Sequence, residues 1–152
     1  MADKSYLQWL VSETPTHWWH DSGDPDELSQ ALAHGATGVT TNPVLTSQAL
    51  EAQPGYWHPR VGKLEGALDK QAKVEALMRA VAVPTAARLA ATHKATDGSE
   101  GYVCAQVDPT KASDRDTMLA MARRYHAWAP NIAVKLPVTA AGLDVLEECV
   151  AQ

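Results

Sequence analysis

Basic residues form no block or stripe in this sequence. Its 13 Lys and Arg are interspersed with 18 Asp and Glu, for a formal net charge of −5. That removes the electrostatic footprint of a nucleic-acid or membrane-surface protein, so neither partner is expected. No apolar run approaches the ~20 residues that a membrane span requires. The opening Met1-Ala2-Asp3-Lys4-Ser5-Tyr6 also lacks the charged-then-apolar layout of a signal peptide. Cysteine is scarce. Cys104 and Cys149 stand far apart, outside any Cys-x-x-Cys pattern, and are expected to be reduced, buried thiols of a cytoplasmic protein. No Gly-x-Gly-x-x-Gly or Walker-type loop is present, which weighs against a doubly wound nucleotide-binding sheet. The six histidines show no metal-ligand spacing supported by carboxylates, and His17 and His20 fall on opposite faces of a strand. No metal is expected.

What is there fits one domain of 152 residues with ordinary globular composition, 45% apolar and 20% charged. Tyr6 to Glu13 reads as a short helix before the Thr14-Pro15 break. Thr16 to His20 has the bulk of a strand, with Trp18 and Trp19 as core and rim packing and Asp21 at its C-terminal end. Asp24, Pro25 and Glu27 then mark a capped helix start with a capping box, and Gly35 stops that helix after His34. Gly38 to Thr41 is a second strand, ended by Asn42-Pro43. From Val44 to about Ala91 the composition is helical, divided by a Pro54-Gly55 turn and Pro59, with Val61 to Val81 as the best single helix. Its charged side, around Lys63, Glu65, Asp69, Lys70, Lys73 and Glu75, reads as a solvated face. After a Thr96–Gly101 loop, Tyr102 to Val107 is the third strand, stopped by Asp108-Pro109. Ser113 and Asp116 predict a capping box for a helix ending near Ala129-Pro130. Ile132 to Leu136 is the fourth strand. Thr139 caps a last helix, expected to bury Leu143, Leu146 and Val150 at helical spacing.

Four β-α units of one polarity, without hairpin turns, predict either an open doubly wound sheet or half of an eight-stranded barrel. In both, ligands bind at the C-terminal strand ends. Those ends carry Asp21, Asn42, Gln106 with Asp108, and Lys135. Strand alternation puts Ile132, Val134 and Leu136 on one face and Ala133 and Lys135 on the other. Likewise Val103, Ala105 and Val107 oppose Cys104 and Gln106. One face packs on helices, and the face with Lys135 and Gln106 turns inward. Cys104 is expected there as a small apolar neighbour of Lys135.

A lysine in an apolar strand is the sharpest chemical signal. Burial disfavours its charge, so the amine either pairs or loses its proton. An ordinary lysine, with a pKa near about 10.4, is almost wholly protonated at neutral pH. Desolvation that brings it toward about 7–8 yields a nucleophile able to form an imine with a ketone. The alternative is a lysine that snorkels to solvent or pairs with an acid such as Asp21.

Three segments resemble the transaldolase family of class I aldolases. They are Asp21 through Pro43 with Gly-Val-Thr-Thr-Asn-Pro, Tyr102 through Pro109, and Asn131 through Gly142 with Val-Lys-Leu-Pro-Val-Thr. The resemblance runs from about Thr16 to Gln152 and is weakest between Gln48 and Gly101. It implies a (β/α)8 TIM-type barrel without a cofactor, acting on sugar phosphates of pentose-phosphate metabolism. It assigns the Schiff base to Lys135, an acid assisting carbon–carbon cleavage to Asp21, and a hydrogen bond to a substrate hydroxyl to Asn42. Thr41 and Thr139 are further substrate-binding candidates, as is Thr40, although strand-end caps would look the same. Gln106 departs from transaldolases proper, which carry a glutamate there as general acid–base. An amide cannot exchange a proton at neutral pH. Ala105-Gln106-Val107 instead resembles the fructose-6-phosphate aldolase branch, where a glutamine helps to hold the catalytic water.

A barrel of this type usually takes about 250 residues, and residues 1–152 supply about four of its units. The expectation is an N-terminal, incomplete domain that either pairs with a second copy or is completed by a missing C-terminal half. The competing function is a non-catalytic half-barrel that serves as a structural or interaction module.

Overall fold

A computed structural model describes residues 4–62 and 69–151. Four strands form one sheet in the order β1-β2-β3-β4: β1 Trp19–His20, β2 Gly38–Thr40, β3 Tyr102–Gln106 and β4 Ile132–Lys135. All neighbouring pairs are parallel. Helices α2 (Pro25–Ala33), α5 (Lys70–Ala95), α6 (Arg115–His126) and α7 (Ala140–Val150) follow the four strands in turn. Helices α3 (Pro43–Ala52) and α4 (Pro54–Val61) precede α5 in the second connection, and α1 (Tyr6–Glu13) leads the chain. Repetition of strand and helix with unchanged sense is the plan of successive TIM-barrel units, and the α/β half-barrel is what the sheet order displays.

The helices cover one face of the sheet. Val39, Val103, Ala105, Val107 and Ile132 are buried with Leu28 of α2, Met78, Ala82, Ala86 and Leu89 of α5, and Met118 and Tyr125 of α6. A second small cluster joins Ala49, Trp57 and Val81. The core spacing along α5, at i, i+4, i+8 and i+11, is that of one helix face. Close approach of α5 to β3 requires a glycine at Gly101. Its φ is +80°, and a Cβ there would meet the His93 nitrogen at 2.5 Å.

Several local expectations are corrected. Asp24 caps α2 by accepting from the Asp26 and Glu27 amides. Its own amide donates to Ser22 Oγ at 3.0 Å, so Glu27 closes no box and faces His20 instead. Pro54-Gly55 opens α4, where the absence of a proline N–H costs nothing in the first turn. Pro59 then lies inside that helix. The longest helix starts at Lys70, with Asp69 accepting from the Ala72 amide, and runs through Pro84 to Ala95. The Val61–Val81 expectation therefore began too early and ended too soon, and its part over residues 63–68 lies outside the described residues, as do Lys63 and Glu65. Asp114, one residue after Ser113, caps α6 through the Thr117 amide. Thr139 caps α7 as expected. The face α7 buries, however, carries Gly142 and Val145, and Leu143, Leu146 and Val150 are exposed.

Candidate active site

Among the described residues, no helix covers the second face of the sheet. Alternation along β3 is regular: Val103 and Ala105 are buried, and Tyr102, Cys104 and Gln106 are half-exposed on the other side. Register carries this face across the sheet. Trp19 pairs with Gly38, Thr40 with Cys104, Cys104 with Ala133, and Gln106 with Lys135. Trp19 lies over Gly38 so closely that a Cβ there would meet the indole ring at 2.5 Å. Lys135 and Gln106 are therefore lateral neighbours at the C-terminal ends of adjacent strands. With Val107, Pro109, Leu136 and Pro137 they line a small cleft of about 120 Å³.

Lys135 is exposed, as in the solvent-reaching alternative and not as in the desolvated lysine. The physical reason is the bare inner face: nothing in the described residues covers it. The expected neighbour is in place, since Cys104 is half-buried on the same face. Burial pushes its thiol above the ordinary value, and the positive charge of Lys135 partly opposes that rise.

Asp21 follows β1 and is exposed at the same rim, but it lines a separate cleft of about 380 Å³ with Ser22, Asp24, Glu27, Leu45 and Gln48. Asn42 ends β2. Its Oδ1 accepts from the Leu45 amide at 2.9 Å, so the side chain caps α3 and offers only its NH2 group to a ligand. The structure thus brings Lys135 and Gln106 together, sets Asn42 at the end of β2 beside β3, and leaves Asp21 after β1 at the far edge of the sheet.

Three other candidates have structural partners. The Thr41 hydroxyl donates to the Cys104 carbonyl at 2.7 Å and is buried, tying β2 to β3. Thr139 Oγ1 accepts from the Gly142 amide and donates to the Ala112 carbonyl at 2.6 Å. Asp108 Oδ1 accepts from the amide and hydroxyl of Thr110, shaping the 3-10 turn Pro109–Lys111. The threonine on the inner face is Thr40, paired with Cys104. Its alternation with buried Val39 is the signal that separates it from Thr41. Asn131 also went unassigned. It is buried and donates to the Ala86 and Gly101 carbonyls, which holds the entry to β4 against α5 and β3. A groove of about 860 Å³ lies along α5 between Arg60, Arg79, Arg124 and Trp128 and includes none of the strand-end residues.

A family model described as transaldolase/fructose-6-phosphate aldolase matches residues 18–152. A transaldolase of Neisseria gonorrhoeae is 32% identical over 127 residues, covering 82% of this chain and 36% of its own. Transaldolase 1 of Streptomyces avermitilis is 31% identical over 127 residues, 81% of this chain and 33% of its own. Transaldolase 1 of Streptomyces coelicolor is 29% identical over 159 aligned positions, 98% of this chain and 41% of its own. The chain spans about a third of the length of the first of these curated relatives.

Proposed function

The chain belongs to the transaldolase/fructose-6-phosphate aldolase family, and from that premise we propose that Lys135 forms a Schiff base with a ketose phosphate. The amine attacks the ketone carbon, and loss of water leaves an iminium that serves as the electron sink. The bond between the carbons α and β to the iminium carbon then breaks, its electron pair forms the double bond of an enamine, and the proton of the β-hydroxyl passes to Asp21 as an aldehyde departs. Asn42 donates its NH2 to a substrate hydroxyl. Gln106 orients the water that carries protons to and from the imine, since an amide can hold a water without titrating. The three-carbon enamine is either protonated, giving reversible aldol cleavage, or passed to an acceptor aldehyde, giving dihydroxyacetone transfer. Substrates of pentose-phosphate type and a cytoplasmic setting belong to the same reading.

The observation that carries it is the pairing of Lys135 with Gln106 at the C-terminal ends of neighbouring parallel strands, where barrel enzymes place their chemistry. Borohydride trapping tests it. After incubation with fructose 6-phosphate or dihydroxyacetone, peptide mapping is expected to place the reduced adduct on Lys135. No adduct, or one spread over surface lysines, rejects the imine.

A second reading, the non-catalytic half-barrel, draws on one specific observation. Lys135 is exposed, and Asp21 lines a different cleft. The absence of trapping at Lys135 under conditions that label an intact transaldolase would favour it.

A further inference from the structure

We propose that the groove along α5 binds a nucleoside phosphate, at a site apart from the strand-end cleft of Lys135. This binding is independent of any imine at that lysine.

The groove has its own walls. Helices α5 and α6 follow the inner strands β2 and β3, so the seam between them is complete whatever adjoins β1 or β4. Its floor is one face of α5, where Ala72, Ala76, Ala80 and Val83 recur three and four residues apart. Arg60 of α4, and Arg124 and Trp128 from α6 and the turn after it, complete the lining. A volume of about 860 Å³ falls within the roughly 300–1,000 Å³ of small-molecule sites.

Three chemically different elements meet there. The first is cationic. Arg79 is exposed and enters no ion pair among the described residues, so its guanidinium fork is uncommitted. Arg60 lies 4.0 Å over the Tyr56 ring and donates to the Tyr56 carbonyl at 2.6 Å, which fixes its charge without neutralising it. Of the two carboxylates in the lining, Glu75 has both oxygens held by Arg124, and Asp69 accepts from the Ala72 amide as the cap of α5. Three guanidiniums against those two acids leave the groove net positive. The planar fork of arginine matches a phosphate through paired hydrogen bonds.

The second element is flat and apolar. Trp128 stacks on Tyr125, with centroids 4.3 Å apart and planes 28° from parallel, and also lines the groove. A nucleobase stacks on such a ring. The third is an acceptor. Pro84 lies inside α5 and has no N–H, so the Ala80 carbonyl lacks the donor that a helix supplies four residues on. Both residues belong to the lining, and the amino group of a base is the complementary donor. Phosphate on the arginines, base on Trp128 and amino group on Ala80 together describe an amino-bearing nucleotide. A ketose phosphate would satisfy the arginines alone, because it has no planar ring for Trp128.

The test is isothermal titration calorimetry of the 152-residue chain with ADP, with circular dichroism to verify the fold of every variant. Saturable binding is expected. Adenosine and pyrophosphate should each bind about tenfold or more weakly than ADP, since each offers part of the contacts. Arg79→Gln removes an exposed charge with no ion pair to lose, and should weaken ADP by about tenfold. Trp128→Leu should weaken ADP and leave pyrophosphate unchanged. If that variant fails to fold, Ala76→Leu, which fills the floor, should block ADP instead. Excess fructose 6-phosphate should not displace ADP. No binding of ADP by the folded chain overturns the proposal. So does pyrophosphate binding as tightly as ADP, displacement by fructose 6-phosphate, or an affinity indifferent to Arg79→Gln. Binding is read without borohydride trapping, so a failed imine leaves the groove standing, and an empty groove leaves the imine untouched.

Discussion

The Asn131 side-chain amide donates to the Gly101 carbonyl at 2.8 Å, and its second hydrogen reaches the Ala86 carbonyl at 2.9 Å. One side chain therefore fastens the residue before β4 to the residue before β3 and to the middle of α5. Asn131 is only 3% exposed, so both carbonyls would lose a partner that water cannot readily replace. Asn131→Ala is expected to cost about 2–4 kcal/mol. In urea unfolding the midpoint should fall with an unchanged slope, the sign of lost stability in an otherwise similar native state.

The Tyr125 phenol supplies a pH-dependent test of the core. Burial pushes it from 10.0 up to about 12, with Glu75 adding to the rise and Arg124 opposing it. The neutral phenol is the form favoured by the folded chain, so its contribution is complete below the unfolded value near 10. It is lost as pH rises through about 12. Wild-type stability is expected to fall over that window by an amount approaching about 2–3 kcal/mol. Tyr125→Phe should show a correspondingly shallower alkaline loss. Among the described residues the hydroxyl's one partner is Met121 sulfur at 3.8 Å, so the variant should match wild type near neutral pH.

The parallel plan was legible because it depends on local signals that tertiary context rarely reverses. Pro25 and Pro43 at first helical positions, and Asp24, Asn42 and Thr139 as caps, fix where helices begin. Period-two alternation in Tyr102–Gln106 told the inner face from the outer. Pattern failed where a residue has two compatible environments. Pro54 suits a turn or a first helical turn equally well. Leu143, Leu146 and Val150 keep helical spacing whether they meet a core or lie exposed. Lys135 shows the same limit at the site. Its strand and neighbours follow from sequence, but burial depends on what faces the sheet, which no spacing within this chain records.

Cys104 offers a probe of that face. Burial raises its thiol, which leaves less thiolate at a given pH, and the charge on Lys135 partly counters the rise. Iodoacetamide should therefore label exposed Cys149 before half-buried Cys104. Removing the charge with Lys135→Met should push the Cys104 thiol further up and slow its labelling again. Peptide mass spectrometry against time separates the two rates. Faster labelling of Cys104 in the variant would mean that the lysine shields the thiol sterically more than it affects its charge.

Gln106→Glu tests whether the amide sets the kind of chemistry. The two side chains have nearly the same shape, so the change installs a titrating carboxyl opposite Lys135 in the parallel register with little cost in packing. An unperturbed glutamate has a pKa near about 4.3. A positive neighbour favours its charged form and lowers that value, while burial on a closed barrel face raises it. If Gln106 only holds water, imine formation by the wild type should lack a carboxyl-type limb in its pH profile, and the variant should gain one. Borohydride trapping rates measured across pH with fructose 6-phosphate would reveal it, and the product mixture with an added aldehyde acceptor would reveal any shift from cleavage toward transfer. A profile unchanged by the substitution would place Gln106 outside the proton path, leaving the water to be held by other groups at the rim.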